Sequence, residues 1–359
     1  MANETLIQKV HDLSDLELAA VICLVAQEHC ILDTEPDAID DLVQELQLVA
    51  SKVFGLSNAV VDCYEQTSLD DFAHAILSIE HSPTRSTSSL RTRQDSYFRN
   101  KTVFGTTNRS PVAETINDNR RIANVIIAKN LDEAPKQVQL QALELMRTKR
   151  IYTRTSVQNA PKSFLFIALL GGGEGPRLTK HLNDYMFISH FHDPDDGFPN
   201  LEDIYDDTDS ISSVVKKSPR EVEESLWPTI SANDIERLSN LADSATVSVE
   251  LKRYQLDIIS YLRVHRAVAS GISPVASQHL EKLTKCLAPL HGLTYATPSL
   301  IALATRKVYP HRIHIVRPEN ERSVQWGSDL DAVSALLEGI GPEDVIEDIL
   351  GNAGPEAPL

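Results

Sequence analysis

The chain has 359 residues, of which 42% are hydrophobic and 24% charged, so one or two folded domains are expected and a fibrous or wholly disordered chain is excluded. Its 51 acidic residues outnumber its 34 basic ones, and the net charge of -17 argues against a general binder of nucleic acid or anionic membranes. The sequence shows no signal peptide and no apolar run long enough to span a bilayer, which predicts a cytoplasmic or nuclear protein.

The first part of the chain alternates helical and strand patterns. Residues 1–32 are predicted to form an N-terminal helical segment, with a helix from Leu13 to Glu28. A second helix is predicted from Asp37 to Phe54, followed by a short buried strand at Asn58–Asp62 and a helix from Leu69 to Leu77.

A polar segment interrupts this order from about residue 78 to 121. Between Ser82 and Arg121 it carries eight Lys or Arg against three Asp or Glu, with no helical or strand period. We predict a disordered basic insert. Its Ser-Pro pairs, Ser82-Pro83 and Ser110-Pro111, leave open regulated phosphorylation, and its charge leaves open single-strand binding.

Three further apolar runs predict strands at Ile122–Ala128, Ser163–Leu170 and Tyr185–Phe191, with a helix from about Pro135 to Lys149. Buried strands alternating with helices indicate a parallel sheet covered on both faces. Residues 33–228 are therefore predicted to form an α/β core that ends in an acidic loop at about 193–228, and residues 229–316 a small all-helical domain. Residues 317–359 are predicted to be a tail of low order.

Several segments resemble the AAA+ ATPases, and within them the MoxR and magnesium-chelatase ATPase-subunit branch, including fungal proteins named as magnesium chelatases. The resemblance rests on the strand and Ala-Pro helix at Ile126–Gln139, on Leu182–Tyr185, and on the lid segments Gly271–Ser277, Tyr295–Ser299 and Tyr309–Ile313. It implies a three-layer αβα core with a helical lid, ATP and Mg²⁺ as cofactors, and assembly with other AAA+-like subunits.

The groups that bind nucleotide in this family are replaced. Aligned without gaps, the phosphate loop falls on Cys63–Asp70, so its glycines become Cys63 and Ser68, its lysine Leu69 and its magnesium-binding hydroxyl Asp70. Lys129 and Asn130 stand where the resemblance implies the magnesium-organising Asp and water-activating Glu, Asp184 replaces an interface arginine, and Val275 replaces the lid arginine.

Other residues have alternative interpretations. Asp132 and Glu133 either rebuild a magnesium site or are first-turn acids of the next helix. His190 and His192, with Asp193, either bind a transition metal or belong to a strand end and a charged loop. Gly171–Gly175 is either a phosphate cradle or a flexible loop, and Cys63 either a nucleophile or a buried thiol.

We therefore predict an AAA+-like module without nucleotide chemistry, without a cofactor, that binds or scaffolds an unidentified protein partner, with neither membrane nor nucleic acid as its target. The competing hypotheses are an ATPase subunit of a magnesium-chelatase or remodelling complex that uses ATP and Mg²⁺, and a metal-dependent enzyme built on His190 and His192.

Overall fold

The computed structural model describes residues 2–79, 120–153, 157–172, 177–202, 229–351 and 354–358. The predicted basic insert lies almost entirely outside these residues, as does most of the predicted acidic loop, so both stay predictions.

Five parallel strands form the central sheet: β1 (Cys30–Thr34), β2 (Asn58–Asp62), β5 (Val125–Lys129), β8 (Leu165–Gly171) and β9 (Ile188–Phe191). Their order in space is β2-β5-β8-β1-β9. The register pairs Leu32 of β1 with Leu169 of β8 on one side and with His190 of β9 on the other.

Three antiparallel two-stranded ribbons lie outside this sheet. They are β3 (Leu77–Ile79) with β4 (Arg120–Ile122), β6 (Arg150–Tyr152) with β7 (Val157–Asn159), and β10 (Val268–Ser270) with β11 (His314–Ile315).

Helices cover both faces of the sheet. Alternate residues of the strands point to opposite faces. Accordingly, Leu32 and Ile127 belong to a core cluster with α2 (Asp15–Ala26) and α3 (Ile39–Leu48). Ile31 and Ile126 belong to a second cluster with α4 (Leu69–Ala75) and α5 (Lys136–Thr148). Two further helices belong to this part of the chain, α1 (Ala2–His11) and α6 (Lys180–Tyr185). The predicted three-layer αβα core is confirmed.

The C-terminal part is helical. It contains α7 (Ala232–Ser244), α8 (Val249–Val264), α9 (Pro274–Leu290) and α10 (Pro298–Val308). Helices α9 and α10 each begin with a hydroxyl cap before an N1 proline: Ser273 Oγ accepts from the backbone N–H of Ala276 at 3.0 Å, and Thr297 Oγ1 accepts from that of Leu300 at 3.4 Å.

Two predicted boundaries are wrong. The predicted N-terminal helical segment of residues 1–32 does not stay helical to its end, because residues 30–32 belong to the strand β1 inside the sheet. The segment after residue 316 is not a tail of low order, because it forms α11 (Leu330–Leu337) and α12 (Pro342–Gly351). Both helices bury apolar residues on one side, including Val333 in α11 and Ile346 in α12, which explains why they pack onto the lid.

Candidate functional site

The sheet order locates the candidate site. From β1 the chain leads to β2 at one edge of the sheet, whereas from β8 it leads to β9 at the other edge. Because β1 and β8 are neighbours whose connections run in opposite directions, a crevice opens at their carboxyl ends, where ligands of open α/β sheets bind. Thr34 and Gly171 end these two strands, and Lys129 ends β5 beside them.

The loop after β1 differs from the phosphate loop predicted from sequence. It runs through a 3₁₀ turn at Pro36–Ala38 into α3. A phosphate loop follows a strand as GxxxxGK[ST], and eight residues counted from Thr34 put its lysine at Asp40 and its hydroxyl at Asp41. This stretch contains no glycine, and both carboxylates lie in the first turn of α3. The loop therefore presents negative charge where a triphosphate would bind.

The assignment of the phosphate loop to Cys63, Ser68, Leu69 and Asp70 is corrected. These residues follow β2, the edge strand, which β5 and β8 separate from β1 by roughly 14 Å at the usual strand spacing. Ser68 caps α4, with its Oγ accepting from the backbone N–H of Asp71 at 3.1 Å. Leu69 and Asp70 are the first two residues of that helix, and Leu69 is exposed. Burial raises the pKa of the Cys63 thiol to about 12, which disfavours a nucleophilic thiolate.

The acid at position 40 has a cationic partner across the crevice. Lys129 Nζ donates to Asp40 Oδ1 in a salt bridge, and this hydrogen bond raises the pKa of the lysine. In P-loop ATPases a lysine of the loop holds the phosphates, while an aspartate at the end of a neighbouring strand holds Mg²⁺. Here Asp40, in the first turn of α3, stands at the position of the loop lysine, and Lys129, the last residue of β5, stands at the position of the aspartate. The two charges are exchanged, and they satisfy each other.

Asn130 and Asp132 make contacts within the protein. Asn130 has a left-handed backbone, φ 52°, and its N–H donates to the carbonyl of Leu169 at 2.9 Å. Asp132 lies 3.6 Å from the guanidinium of Arg177, and Glu133 is exposed. Both acids precede α5, whose first turn holds no acid, so their interpretation as first-turn acids is also wrong.

Arg177 bridges the crevice at its centre. Its guanidinium donates to the carboxylate of Asp33 and to the carbonyl of Gly172, and it lies 3.6 Å from Asp132. These three partners follow or end three different strands. Burial raises the pKa of Asp33 to about 6, the positive charge of Arg177 opposes that rise, and the negative charge of Asp132 adds to it.

We predict that Arg177→Gln raises the pKa of Asp33 above about 6, because burial and Asp132 then act without an opposing cation. Asp132→Asn is the matched control of opposite sign, since it removes a negative neighbour and should lower that pKa. Both shifts are measurable by ¹³C NMR titration of the Asp33 carboxyl. A pKa that stays the same or falls in Arg177→Gln would contradict the bridging role.

The backbone closes the crevice further. The N–H of Gly172 donates to the carbonyl of Thr34 at 2.8 Å, which continues the pairing of β1 with β8 beyond the sheet. Gly172 has φ +61°, and a Cβ there would lie 3.2 Å from Cδ of Pro36. Pro36 thus packs against the glycines that follow β8. The small size of Gly171 and Gly172 allows this close approach, while residues 173–175 of the predicted glycine loop lie outside the described residues.

Asp184 fixes the lid to the core. Its carboxylate accepts from the Ser273 hydroxyl at 2.5 Å and lies 3.6 Å from the guanidinium of Arg312. Arg312 is 2% exposed and donates to the carbonyl of Asp184 at 3.2 Å and to Nδ1 of His279 at 2.7 Å. Val275, in the first turn of α9, is half-buried. Direct contacts of Asp184 with Ser273 and Arg312 therefore join the lid to the core.

The structure does not assemble His190, His192 and Asp193 into a ligand set. Lys307 Nζ donates to Nδ1 of His190 at 2.9 Å, whereas the ring of His192 packs on Phe198 with centroids 5.0 Å apart. Asp193 accepts from the backbone N–H of Asp195 at 3.0 Å. Within the described part of the chain, no three His, Cys, Asp or Glu side chains are placed to hold a metal ion.

A parallel sheet in this order, with its switch point between β1 and β8 and a helical lid after it, is the AAA+ ATPase fold. Residues 260–332 match the AAA lid domain. Among solved structures, a candidate ATPase from Cytophaga hutchinsonii superposes with a TM-score of 0.57 over 94% of both chains, at 15% sequence identity.

Two relatives are similar over parts of the chain. A stretch of 106 residues is 31% identical to maintenance of telomere capping protein 2 of Lachancea thermotolerans, covering 28% of this chain and 37% of that protein. A stretch of 233 residues is 23% identical to the uncharacterized protein YeaC of Bacillus subtilis and covers 64% of both proteins. The chain thus spans between about a third and two-thirds of these relatives' length.

Proposed function

We propose that this protein is an AAA+-fold module that binds a protein partner and has neither ATP binding nor ATP hydrolysis as its activity. The exchanged ion pair of Lys129 and Asp40 carries the proposal. A loop without glycines cannot bring backbone N–H groups to a triphosphate, and the carboxylates of Asp40 and Asp41 repel one. Mg²⁺ would meet the ammonium of Lys129 at the strand end. The residues present do not fit ATP-Mg²⁺.

The joint between core and lid supports a scaffolding role. Asp184, Ser273 and Arg312 tie the lid to the core through direct contacts, which favours one fixed arrangement of lid and core. Among the described residues, every helix is too short or too polar to span a bilayer.

The fungal relatives are named for the maintenance of telomere capping, and we propose that this chain serves the same process, in the nucleus or the cytoplasm, through a protein partner.

We predict that the chain binds ATP-Mg²⁺ no more tightly than roughly millimolar. Each lost charge-assisted hydrogen bond costs about 1.5–3 kcal/mol, and about 1.4 kcal/mol is a factor of ten in affinity. With the lysine and the magnesium-binding aspartate both replaced, a micromolar site is expected to weaken to roughly millimolar or beyond. Isothermal titration calorimetry of the full chain with ATP and Mg²⁺ measures this.

A charge exchange provides the control. The double variant Asp40→Lys with Lys129→Asp restores the charges that phosphate and Mg²⁺ need, and we expect it to bind ATP-Mg²⁺ about tenfold more tightly than the parent. Lys162→Glu with Glu236→Lys makes the same exchange at an exposed ion pair of 3.2 Å and should change nothing. Saturable binding to the parent tighter than about 100 μM would favour the competing function. That function is an ATPase subunit of the MoxR or magnesium-chelatase kind.

The partner is tested separately. Isolation of the tagged chain from its native cells should recover the same protein with the parent and with Asp40→Ala. Loss of the partner when ATP is removed would instead indicate a nucleotide-dependent assembly.

A further inference from the structure

A second cavity lies away from the switch point. It is a groove of about 510 Å³ between the N-terminal helices α1 and α2, the edge strand β9, and the lid helices α9 and α10. This volume falls in the range of small-molecule sites, and such sites are common where two packed units meet. None of the residues that close the switch point lines it.

The walls of the groove are mainly aliphatic. They come from three separate parts of the chain: Leu18, Ile22, Ile188, Leu283, Leu287 and Leu303. Because both the N-terminal helices and the lid contribute, the groove depends on their packing against β9. An apolar chain placed there would be removed from water on both sides.

One part of the groove is polar. Leu303 and Lys307 are one turn apart on α10, and Ile188 and His190 are alternate residues of β9, so each pair shares a side. Lys307 Nζ donates to Nδ1 of His190 at 2.9 Å. An ammonium only donates, so Nδ1 accepts and the proton of the neutral ring is on Nε2. Burial lowers the pKa of His190 to about 4, which keeps the ring neutral.

These donors have unused capacity. Nε2 of His190 is buried and has no hydrogen-bond partner among the described residues. The ammonium of Lys307 has three N–H groups, and His190 is its one hydrogen-bond acceptor in the described part of the chain. Buried polar groups are normally satisfied, so an acceptor is missing at this position. Asp15 and Glu343 act on Lys307 through their negative charge, but neither forms an ion pair with it in the described part of the chain, so the missing direct partner of this cation is an anionic acceptor.

We propose that the groove binds an amphipathic monocarboxylate, with its alkyl chain against the aliphatic walls and its carboxylate on Lys307 and His190. Asp15, which also lines the groove, and Glu343 oppose an anion in proportion to its charge, so a dianion such as a phosphate monoester is disfavoured more strongly than a monocarboxylate. Lys307 disfavours a cationic head group. The single positive charge, the imidazole N–H and the aliphatic walls together match one carboxylate on an apolar chain.

The probes are decanoate, decanol and decyltrimethylammonium, titrated calorimetrically into the full chain at pH 7.5. We expect decanoate to bind at least about tenfold more tightly than decanol, which is the effect of one charge-assisted hydrogen bond, and the cation to bind more weakly than both. Lys307→Met should abolish the preference for the acid. Lys162→Met, at an exposed lysine outside the groove, is the matched control and should preserve it.

Two variants test the place of binding. Leu303→Trp fills the groove from the lid and Leu18→Trp from the N-terminal side, and either one in a folded chain should weaken decanoate binding at least about tenfold. Equal affinity for acid and alcohol, or full affinity in a folded groove-filling variant, would overturn the proposal. Displacement of decanoate by ATP would overturn it as well, since the groove would then belong to a nucleotide site.

Discussion

Truncation of Arg312 to alanine is expected to reduce the free energy of unfolding by about 3–5 kcal/mol, as when one partner of a buried charged network is removed. Arg312 donates to the carbonyls of Val308 and Met186, and to Nδ1 of His279 at 2.7 Å. Its removal leaves the carbonyl of Val308 and Nδ1 of His279 without this donor, while the carbonyl of Met186 keeps the ring Nε2 of His311 at 3.2 Å, and it leaves a cavity. Burial also lowers the pKa of the guanidinium to about 10, still well above neutral, so the cation is retained.

Urea unfolding at pH 7.5 measures this loss. Arg312→Lys should recover little of it, because one ammonium cannot reproduce the planar fork that reaches several carbonyls. Arg253→Ala is the control: Arg253 is highly exposed and lies 3.9 Å from Asp257 of its own helix, so a loss within about 0.5 kcal/mol is expected. A loss below about 1 kcal/mol in Arg312→Ala would show that the joint between core and lid does not depend on this side chain.

Acidification from pH 7.5 to 5 is expected to produce a loss of similar size. Burial lowers the pKa of His29 and of His279 to about 3, and the pKa of His311 well below its usual range. Geometry agrees, because Nδ1 of His29 accepts from the backbone N–H of Phe166 at 3.1 Å and Nδ1 of His279 accepts from Arg312. Both rings must be neutral to accept these bonds.

The sign follows from proton binding. Below about pH 6.5 the unfolded chain binds protons that the folded chain excludes, so stability falls with pH from about 6.5 down to the folded pKa values near 3. Between pH 7.5 and 5, His29 and His279 should each account for about 2 kcal/mol, with His311 acting in the same direction. Asp33 opposes this: its folded pKa of about 6 adds stability as pH falls from about 6 to 4.

Urea midpoints at pH 7.5, 6 and 5 test the histidines. His29→Asn keeps an acceptor near Nδ1 but cannot be protonated, so its loss of stability on acidification should be smaller by about 2 kcal/mol. His291→Gln, at an exposed histidine, should keep the parent's pH dependence. The same pH dependence in His29→Asn and in the parent would contradict the assignment.

The sequence patterns were sufficient for the architecture but not for the position of the site. Apolar runs located β5, β8 and β9, because strands buried on both faces are continuous apolar segments. β1 was missed because its five residues follow the apolar helix α2 after only three residues, Gln27 to His29, with no Gly or Pro between them. Counting the phosphate loop from the next strand then placed it at the edge of the sheet.

The side chains that close the crevice were missed for a different reason. Arg177 is 144 residues from Asp33 in the sequence, and Lys129 is 89 residues from Asp40. No local periodicity encodes such a pair, because its formation depends on which strands become neighbours. The sequence identifies Lys129 only as the residue that stands in place of a magnesium-organising Asp. Its partner, Asp40, follows from the structure, in which β1 lies beside β8. An apolar triplet, Cys30–Leu32, ahead of Pro36 was the one signal that could have located β1.

The exchanged pair also constrains the routes by which this gene could acquire a phosphate-binding site. Asp40→Lys alone sets two cations against each other, and Lys129→Asp alone sets two anions against each other, so each single step passes through a repulsive intermediate. A lineage that acquired the charge arrangement of a P-loop ATPase would have to change both codons, and the loop would still lack glycines. Neither single substitution therefore improves the binding of phosphate or Mg²⁺, and both are needed together before the charges suit these ligands.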